Sequence, residues 1–421
     1  MKLLCSDCGQ PAPADALFCA HCGGLLAFEL DTAAIDGAVL RALVRSRRTS
    51  NAHRDRSGVW RYRELLPALD PDRIVTLREN DVPLYAAIDG ARYAGLDGAS
   101  YLHLGMNPTG SFKDAGMTVA VTHAAQSGAR VAICASTGNT AASMAAYASR
   151  AGVQALVLVP STGISESKVA QTLDYGAVVL GIEGDFDAAL AMVRRLDPRR
   201  VAIVNSVNPY RIEGQKTAAF VMLEQRDWKV PDWFVLPGGN LGNTSAFGKG
   251  FREAYALGLI DRLPRIAVVQ AAGAAPFARL FASGGEMVPV KAQTTATAIK
   301  IGAPASWKKA LREVRGTNGT VISVDDATIA DARAVIGRDG IGCEPASAAS
   351  LAGAKALVAS GTIGASDDVV LVLTGHMLKD TAYAAEYHSG SARFANAIVH
   401  ARSPGELSAR IDELATARAG A

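Results

Sequence analysis

The octapeptide Asn107-Pro108-Thr109-Gly110-Ser111-Phe112-Lys113-Asp114 sets one lysine between glycine-containing turn residues and an aromatic ring. An amine held in such a turn is suited to forming a Schiff base with a carbonyl group and then swinging away to act as a base. Lys113 is the candidate for that amine; the plain alternative is a surface lysine in a turn. Three further segments offer places for anions. In Ser136-Thr137-Gly138-Asn139-Thr140, amides and hydroxyls converge where a helix opens, so a carboxylate or phosphate would meet its positive end, unless Ser136 or Thr137 merely caps it. Gly238-Gly239-Asn240-Leu241-Gly242-Asn243-Thr244 can turn consecutive amides inward around one phosphate, a plain strand-to-helix turn being the alternative. It has neither the Gly-Lys-Ser/Thr of a P-loop nor the spacing of a dinucleotide fingerprint. In the third, Arg211 offers a two-pronged clamp beside the neutral donors Asn205 and Ser206, unless it is paired with Glu213. Finally, Thr374 closes an apolar run with a hydroxyl, which backbone capping would equally explain.

Four of the six cysteines lie in the first 22 residues, as Cys5-x2-Cys8 and Cys19-x2-Cys22. Two such pairs of soft ligands fit the edges of a tetrahedron and point to a closed structural zinc site. Gly9 and Gly23 follow the second cysteine of each pair and let the backbone amides turn toward sulfur. The alternatives are a redox pair or chance, and His21 is superfluous to a four-cysteine site. Cys134 and Cys343 stand far downstream in apolar or glycine-rich surroundings, which argues against a disulfide framework.

The elements that must position these groups follow from periodicity. Short apolar runs alternate with helical patterns: strand 130–135, helix 139–151, strand 155–160, helix 166–175, strand 177–182, helix 186–196, strand 201–205, helix 214–225, strand 233–237, helix 244–257, then strands 266–270 and 369–373. This is the alternation of an α/β protein with parallel sheets, in which ligands collect beyond the carboxyl ends of strands. Upstream, 31–45 reads as a helix and the arginine-rich 45–57 as a solvated connection, with a phosphate-binding patch as the other reading. Ser403-Pro404-x-Glu406 opens a last helix, with Leu407, Ile411 and Leu414 on one face, for packing or oligomer formation.

Composition excludes several classes. With 421 residues, 49% apolar, the chain suits two domains and an appendage. Lys plus Arg is 43 against 40 Asp plus Glu, a net +3, which gives no electrostatic case for nucleic acid or a membrane surface. No apolar run approaches a membrane span of roughly 18 residues, and the N-terminus leaves no room for a signal peptide. The expected location is the cytoplasm.

Together, these segments resemble the threonine synthases, pyridoxal phosphate (PLP) enzymes of fold type II, the tryptophan synthase β-like group. The likeness runs from Trp60 to about Asp380, through GVWRY at 58–62, NPTGSFKD at 107–114, STGNTAAS at 136–143, NSVNPYRIEGQKTAAF at 205–220, GNLGN at 239–243, IGAPASW at 301–307, CEPASAAS at 343–350 and LTGHMLKD at 373–380. It implies a large PLP-binding domain from 28–105 and 196–400, a smaller mobile domain at 106–195, a zinc ribbon at 1–27 and a C-terminal helix at 401–421. Lys113 would carry PLP; Gly239, Asn240, Leu241, Gly242 and Asn243 would bind its phosphate, Asn139 its ring oxygen and Thr374 its pyridine nitrogen. Ser136, Thr137, Thr140, Asn205, Ser206 and Arg211 match positions around the substrate's phosphate and carboxylate.

The activity implied is elimination of phosphate from O-phosphohomoserine and addition of water to give threonine, by a homodimer that takes a small phosphorylated amino acid and no nucleic acid or membrane. Three departures stand near the presumed site. Ala115 replaces an arginine, Arg78-Glu79-Asn80-Asp81-Val82-Pro83-Leu84 replaces Gly-Glu-Gly-x-Thr-Pro-Leu, and Gly302-Ala303-Pro304 replaces Gly-Asn-Pro. They keep open a homologue that uses another phosphorylated amino acid, such as O-phosphoserine with sulfite to give cysteate. A PLP-dependent dehydratase and a non-catalytic zinc-ribbon binding protein on a PLP fold are the remaining alternatives.

Overall fold

A computed structural model of the chain describes residues 1–161, 166–183, 192, 193, 196, 201–396, 398 and 400–419. The helix expected at 186–196 lies outside the described residues but for 192, 193 and 196.

Strands β1 (Lys2–Cys5) and β2 (Leu26–Glu29) pair antiparallel, with Lys2 opposite Glu29. A two-stranded ribbon is marginal alone; here Leu3, Leu26 and Phe28 are buried in one apolar cluster with Trp60, Met117 and Tyr210. Helix α1 (Gly37–Arg47) starts where the Asp36 carboxylate accepts the Ala38 and Val39 amides at 2.8 and 3.0 Å, so the helix expected from 31 begins six residues later. The arginine-rich connection is not simply solvated. Arg47 is buried, donates to Glu64 at 2.7 and 2.5 Å and to the Arg61 carbonyl at 2.6 Å, and Asp55 and Ser57 are buried with it.

The chain then runs β3 (Leu84–Ala87), α2 (Asp89–Ala94), β4 (Ala99–His103), α3 (Lys113–Gln126), β5 (Val131–Ala135), α4 (Asn139–Ala151), β6 (Gln154–Pro160), α5 (Glu166–Asp174), β7 (Val178–Ile182) and β8 (Ala202–Ile203). It continues through α6 (Pro209–Gln225), β9 (Trp233–Pro237), α7 (Gly242–Ala256), β10 (Arg265–Ala271), α8 (Pro276–Ser283), α9 (Trp307–Gly316), β11 (Thr320–Val324), α10 (Asp326–Arg338), α11 (Pro345–Ala359) and β12 (Val369–Leu373). Six strands form one sheet in the order β11-β10-β9-β12-β4-β3, parallel but for the antiparallel edge strand β3; four form a second, all parallel, in the order β7-β6-β5-β8. Every residue of β9 and β12 is buried, as strands covered by helices on both faces must be.

Helix α6 starts at Pro209, five residues before its expected start at 214, because Asn208 caps it by accepting the Tyr210 amide at 3.0 Å and Pro209 takes the first turn. Gly214 is not a helix start but a contact point. A Cβ built there would lie 1.8 Å from the Ala115 carbonyl oxygen, so α3 and α6 meet backbone to backbone.

Residues Thr381–Ala421 form a separate compact unit with α12 (Thr381–Ser389) and α13 (Pro404–Ala419). The expected start of α13 is present: Ser403 Oγ accepts the Glu406 amide at 3.2 Å and Glu406 reaches back to the Arg402 amide at 2.6 Å. None of the described helices is long and apolar enough to cross a membrane.

Candidate active site

Five strands deliver their following residues to one cavity of about 560 Å³, namely β4, β9 and β12 of the large sheet and β5 and β8 of the small one. Every site residue expected from the sequence outside the ribbon lines it: Lys113, Ser136, Thr137, Asn139, Thr140, Asn205, Ser206, Arg211, the stretch Gly239 to Asn243, and Thr374. A second cavity of about 570 Å³, against Arg130, Ser149 and Tyr175, contains none of them.

The lysine loop is laced to the end of β12. The Phe112 amide donates to the Thr374 carbonyl and the His376 amide to the Gly110 carbonyl, each at 2.9 Å, while the Glu344 amide donates to the Gly375 carbonyl at 3.0 Å. Lys113, the first residue of α3, is therefore fixed at its backbone while its side chain enters the cavity, Nζ lying 4.2 Å from the centre of the Phe112 ring. Burial lowers its pKa to about 7, helped by the Arg211 charge and opposed by Glu344. Asp114 points away. It accepts the Thr109 amide (2.7 Å) and the hydroxyls of Thr109 and Ser143 (both 2.6 Å), and burial pushes it up to about 6.

The loop before α7 has the form of an anion cradle. Leu241 has φ +64°, α7 has no side-chain cap, and Ser245 is the first residue whose amide bonds back, to the Leu241 carbonyl at 3.1 Å. The amides of Gly242, Asn243 and Thr244 are thus left for a ligand. Asn243 Nδ2 and Thr244 Oγ1 are buried without a partner. At Gly239 a Cβ would stand 3.2 Å from both the Ala298 oxygen and Ile299 Cα, tighter than most side chains allow. Asn240 has a different task from a ligand's: its side chain donates to Ser206 Oγ at 2.6 Å and accepts the Ala305 amide at 2.6 Å, tying the cradle to the small-sheet side.

On that side, neither Ser136 nor Thr137 caps α4. Its N-cap is Gly138, without a side-chain bond, and Ser136 Oγ instead accepts the Gly138 amide at 3.2 Å. Asn205 is spent on the Ala135 backbone, accepting its amide at 3.3 Å and donating to its carbonyl at 3.2 Å, which holds the ends of β8 and β5 together. Arg211 is not paired with Glu213, which is held by Lys216 at 2.6 Å and by Lys249. It is buried, donates through Nη1 to the Val204 carbonyl at 3.2 Å and keeps a buried Nε without a partner; burial lowers it to about 10. A buried guanidinium without a carboxylate is primed for an incoming anion.

Sequence reasoning missed Glu344. This buried carboxylate lines the cavity, accepts Asn139 Nδ2 at 2.9 Å and the Thr374 hydroxyl at 3.2 Å, and its pKa is raised by burial. The available signal was a lone carboxylate before the first-turn proline of an otherwise apolar helix. Gln171 and Lys379 were also missed: they bond each other across the cavity lining, and Gln171 donates to the Thr109 carbonyl at 3.1 Å.

The departures expected near the ligand stand behind it. Ala115, Arg78, Asn80 and Ala303 do not line the cavity. Ala115 is buried in the apolar cluster and Ala303 is exposed. Arg78 and Asn80 have φ +63° and +64°, the left-handed backbone for which glycine is the unstrained choice. Glu79 between them is buried and accepts Tyr147 Oη at 2.8 Å, Thr76 Oγ1 at 3.0 Å and the Leu77 amide at 3.0 Å.

In the ribbon, the sulfurs of Cys5, Cys8, Cys19 and Cys22 all lie within 4.8 Å of one another. The pairs Cys5–Cys22, Cys8–Cys19 and Cys8–Cys22 are 3.5, 3.6 and 3.5 Å apart.

Residues 76–375 match the model of the family described as pyridoxal-phosphate dependent enzyme, the class that a lysine-bearing cavity between two parallel sheets defines. Among curated proteins, the chain is 44% identical over 387 residues to threonine synthase of Methanosarcina acetivorans, covering 90% of this chain and 92% of that one. It is 42% identical over 381 residues to that of Methanocaldococcus jannaschii, covering 89% and 92%. The chain belongs to the threonine synthase family of PLP-dependent enzymes. The fold is likewise similar to the solved threonine synthase of Escherichia coli, with TM-score 0.65, 19% identity and coverage of 98% and 95%.

Proposed function

We propose that the chain converts O-phosphohomoserine to threonine and inorganic phosphate. The observation that carries this reading is a pair of anion-binding poles on one cavity with Lys113: the uncapped start of α7 and the unpaired Arg211. One pole suits the phosphate of PLP, whose presence fits the unpartnered Asn243 Nδ2 and Thr244 Oγ1 and the Cβ-free floor at Gly239. The other suits a substrate with an anion of its own. A dehydratase substrate has no use for a second phosphate site, and a binding protein has none for a lysine depressed to about 7.

Lys113 would hold PLP, with Asn139 placed to meet its ring oxygen and Thr374 its ring nitrogen. PLP supplies an electron sink that makes the protons beside the amino group acidic. At a pKa of about 7, a large fraction of Lys113 is a neutral amine at physiological pH and takes those protons. Arg211 and the Ser206 hydroxyl hold the phosphate and stabilise the charge that grows as its C–O bond breaks. The uncapped amides of α4, with Ser136, Thr137 and Thr140, hold the carboxylate. Water then adds at the β-carbon.

Cys5, Cys8, Cys19 and Cys22 hold a structural zinc. Four thiolates 2.3 Å from a tetrahedral zinc stand about 3.8 Å apart, close to the separations found, and the Asp7 amide lies 3.4 Å from Cys5 Sγ. The ribbon is fastened by Lys308 to Asp7 at 2.7 Å and by Lys249 Nζ to the Phe28 carbonyl at 2.6 Å. Metal analysis should find one zinc per chain, and Cys8→Ser should lower the melting temperature by several degrees while kcat of the folded fraction changes little. The exposed Leu407, Ile411 and Leu414 on α13 support a homodimer.

The deciding assay is phosphate release from O-phosphohomoserine, and separately from O-phosphoserine with sulfite, with the product identified by mass. Threonine from the first confirms the reading; turnover confined to the second replaces it.

A further inference from the structure

The hydrogen bonds behind Thr374 have a direction that their geometry fixes. Ser347, buried in the first turn of α11, accepts two amides on its Oγ, those of Thr374 and Gly375, both at 2.9 Å. A hydroxyl oxygen has two lone pairs. Both are taken, so Ser347 has only its proton left to offer. The nearest acceptor is Thr374 Oγ1 at 2.9 Å; the Gly375 carbonyl is farther, at 3.4 Å. Were Thr374 the donor in this pair, Ser347 Oγ would have to accept three bonds. Thr374 Oγ1 therefore accepts from Ser347, and its own proton points forward, toward the cavity side where Glu344 Oε1 stands at 3.2 Å.

We propose that Ser347 is a positioning residue that commits the Thr374 hydroxyl to donating, so that the ring nitrogen facing it is held unprotonated, with Glu344 taking the same proton when no ring is bound. This rests on the reading that Thr374 faces the pyridine nitrogen of PLP. A donated bond favours a bare nitrogen lone pair, whereas a protonated nitrogen needs an acceptor. An unprotonated ring is the weaker electron sink, and a weaker sink leaves proton transfers at the substrate to Lys113. Only as a carboxylate does Glu344 compete for the threonine proton, and burial favours its acid form; as an acid it can give Thr374 a second bond to accept, which leaves the threonine proton for the ring. Of the other ionisable groups that line the cavity, Arg211, Lys300 and Lys379 carry basic side chains, which disfavour a protonated nitrogen, and Asp380 an acidic one.

The test is nitrogen NMR of holoenzyme loaded with PLP labelled with 15N at the ring, followed across pH. The wild-type protein should show the unprotonated ring signal at neutral pH. In Ser347→Ala, Thr374 is free to turn and accept, so the ring nitrogen should titrate at a higher pH, by about one unit, the equivalent of one neutral hydrogen bond. Ser347→Thr, which keeps the hydroxyl, should restore the wild-type titration. Because Ser347→Ala strands two buried amides, Ser347→Cys gives a variant of similar size whose thiol donates and accepts weakly, and its shift should have the same sign. A ring signal in Ser347→Ala or Ser347→Cys identical to wild type, with cofactor still bound, overturns the proposal. Thr374→Val separates the two layers of the argument. If it leaves the ring signal unmoved, Thr374 does not face the nitrogen; if it moves the signal while the Ser347 variants do not, Ser347 alone is misassigned.

Discussion

The two rims of the cavity are built in different ways. On the large-sheet rim, the loops carrying Lys113, Glu344 and Thr374 are laced by backbone bonds of 2.9 to 3.0 Å, and the side chains behind them, Asp114 and Ser347, have full sets of partners. On the small-sheet rim, Ser136, Thr137, Asn139 and Thr140 are half-exposed around an uncapped helix, and Arg211 keeps a buried N–H in reserve. The difference follows from what each rim has to hold. The loops that carry the lysine and face the ring need one geometry at all times and are fixed by bonds within the protein, whereas the groups that meet an anion, Arg211 and the start of α7 alike, keep donors unspent until it arrives. The rims touch at α3 against α6, at Asn240 with Ser206 and at Asn139 with Glu344.

Breaking the fixed rim should cost most. Lys113→Ala should abolish the visible absorbance of the lysine-bound cofactor and lower turnover by about a thousandfold or more, since base catalysis alone contributes roughly 10²- to 10⁴-fold. Unchanged absorbance would transfer the role to another amine. Gly214→Ala tests the seam between the rims. The new methyl meets the Ala115 carbonyl at 1.8 Å, with backbone on both sides and no side chain able to give way. A loss of about 3 kcal/mol in denaturant unfolding is expected, together with weaker cofactor retention.

The reserve on the substrate rim should show in kinetics rather than stability. Arg211→Met should raise KM for the phosphorylated substrate about 10- to 100-fold, the worth of one charge-assisted contact. It has a second signature. Lys113 is held near 7 by burial and by the Arg211 charge, so its reactive neutral form grows as pH rises through that value. The rate at which cofactor-free protein captures PLP should therefore rise with a midpoint near pH 7, and Arg211→Met should move that midpoint upward. A capture rate that keeps rising well above about pH 9 would mean that Lys113 is not depressed.

The same contrast explains what could be read from sequence. The strands at 233–237 and 369–373 and the helix at 139–151 appear at their expected bounds, because a buried strand is a pure apolar run and α4 alternates small apolar and polar residues between two glycines. The cavity residues were legible because anion sites require glycine, asparagine and hydroxyls next to strand ends. Three things were not legible. Asn205 and Asn240 are of the right type to touch a ligand but are consumed in bonds to Ala135, Ser206 and Ala305, which only the fold brings near. Glu344 sits about 230 residues from the lysine loop and has no neighbours of its own chemistry in sequence. The start of α6 was misplaced because Gly214 resembles a boundary, whereas its lack of a side chain serves packing against α3.

The smallest effect concerns the departures, which sequence alone set near the ligand. Arg78 and Asn80 hold left-handed backbone at +63° and +64° around a buried Glu79 whose bonds to Tyr147 and Thr76 set the turn. Glycine would adopt that backbone without a Cβ clash. Asn80 has compensation, donating Nδ2 to Thr217 Oγ1 at 2.9 Å and its amide to Asn107 Oδ1 at 2.7 Å; no such bond is found for the Arg78 side chain among the described residues. Arg78→Gly should therefore stabilise the protein by about 1 kcal/mol, the cost of a left-handed L-residue, whereas Asn80→Gly should be neutral or destabilising. KM and kcat should be unchanged in Arg78→Gly, because the turn stands behind the cavity wall. A change in substrate preference there would show that the turn acts on the ligand through Asn107 and the lysine loop, and would make the two rims less independent than their hydrogen bonds imply.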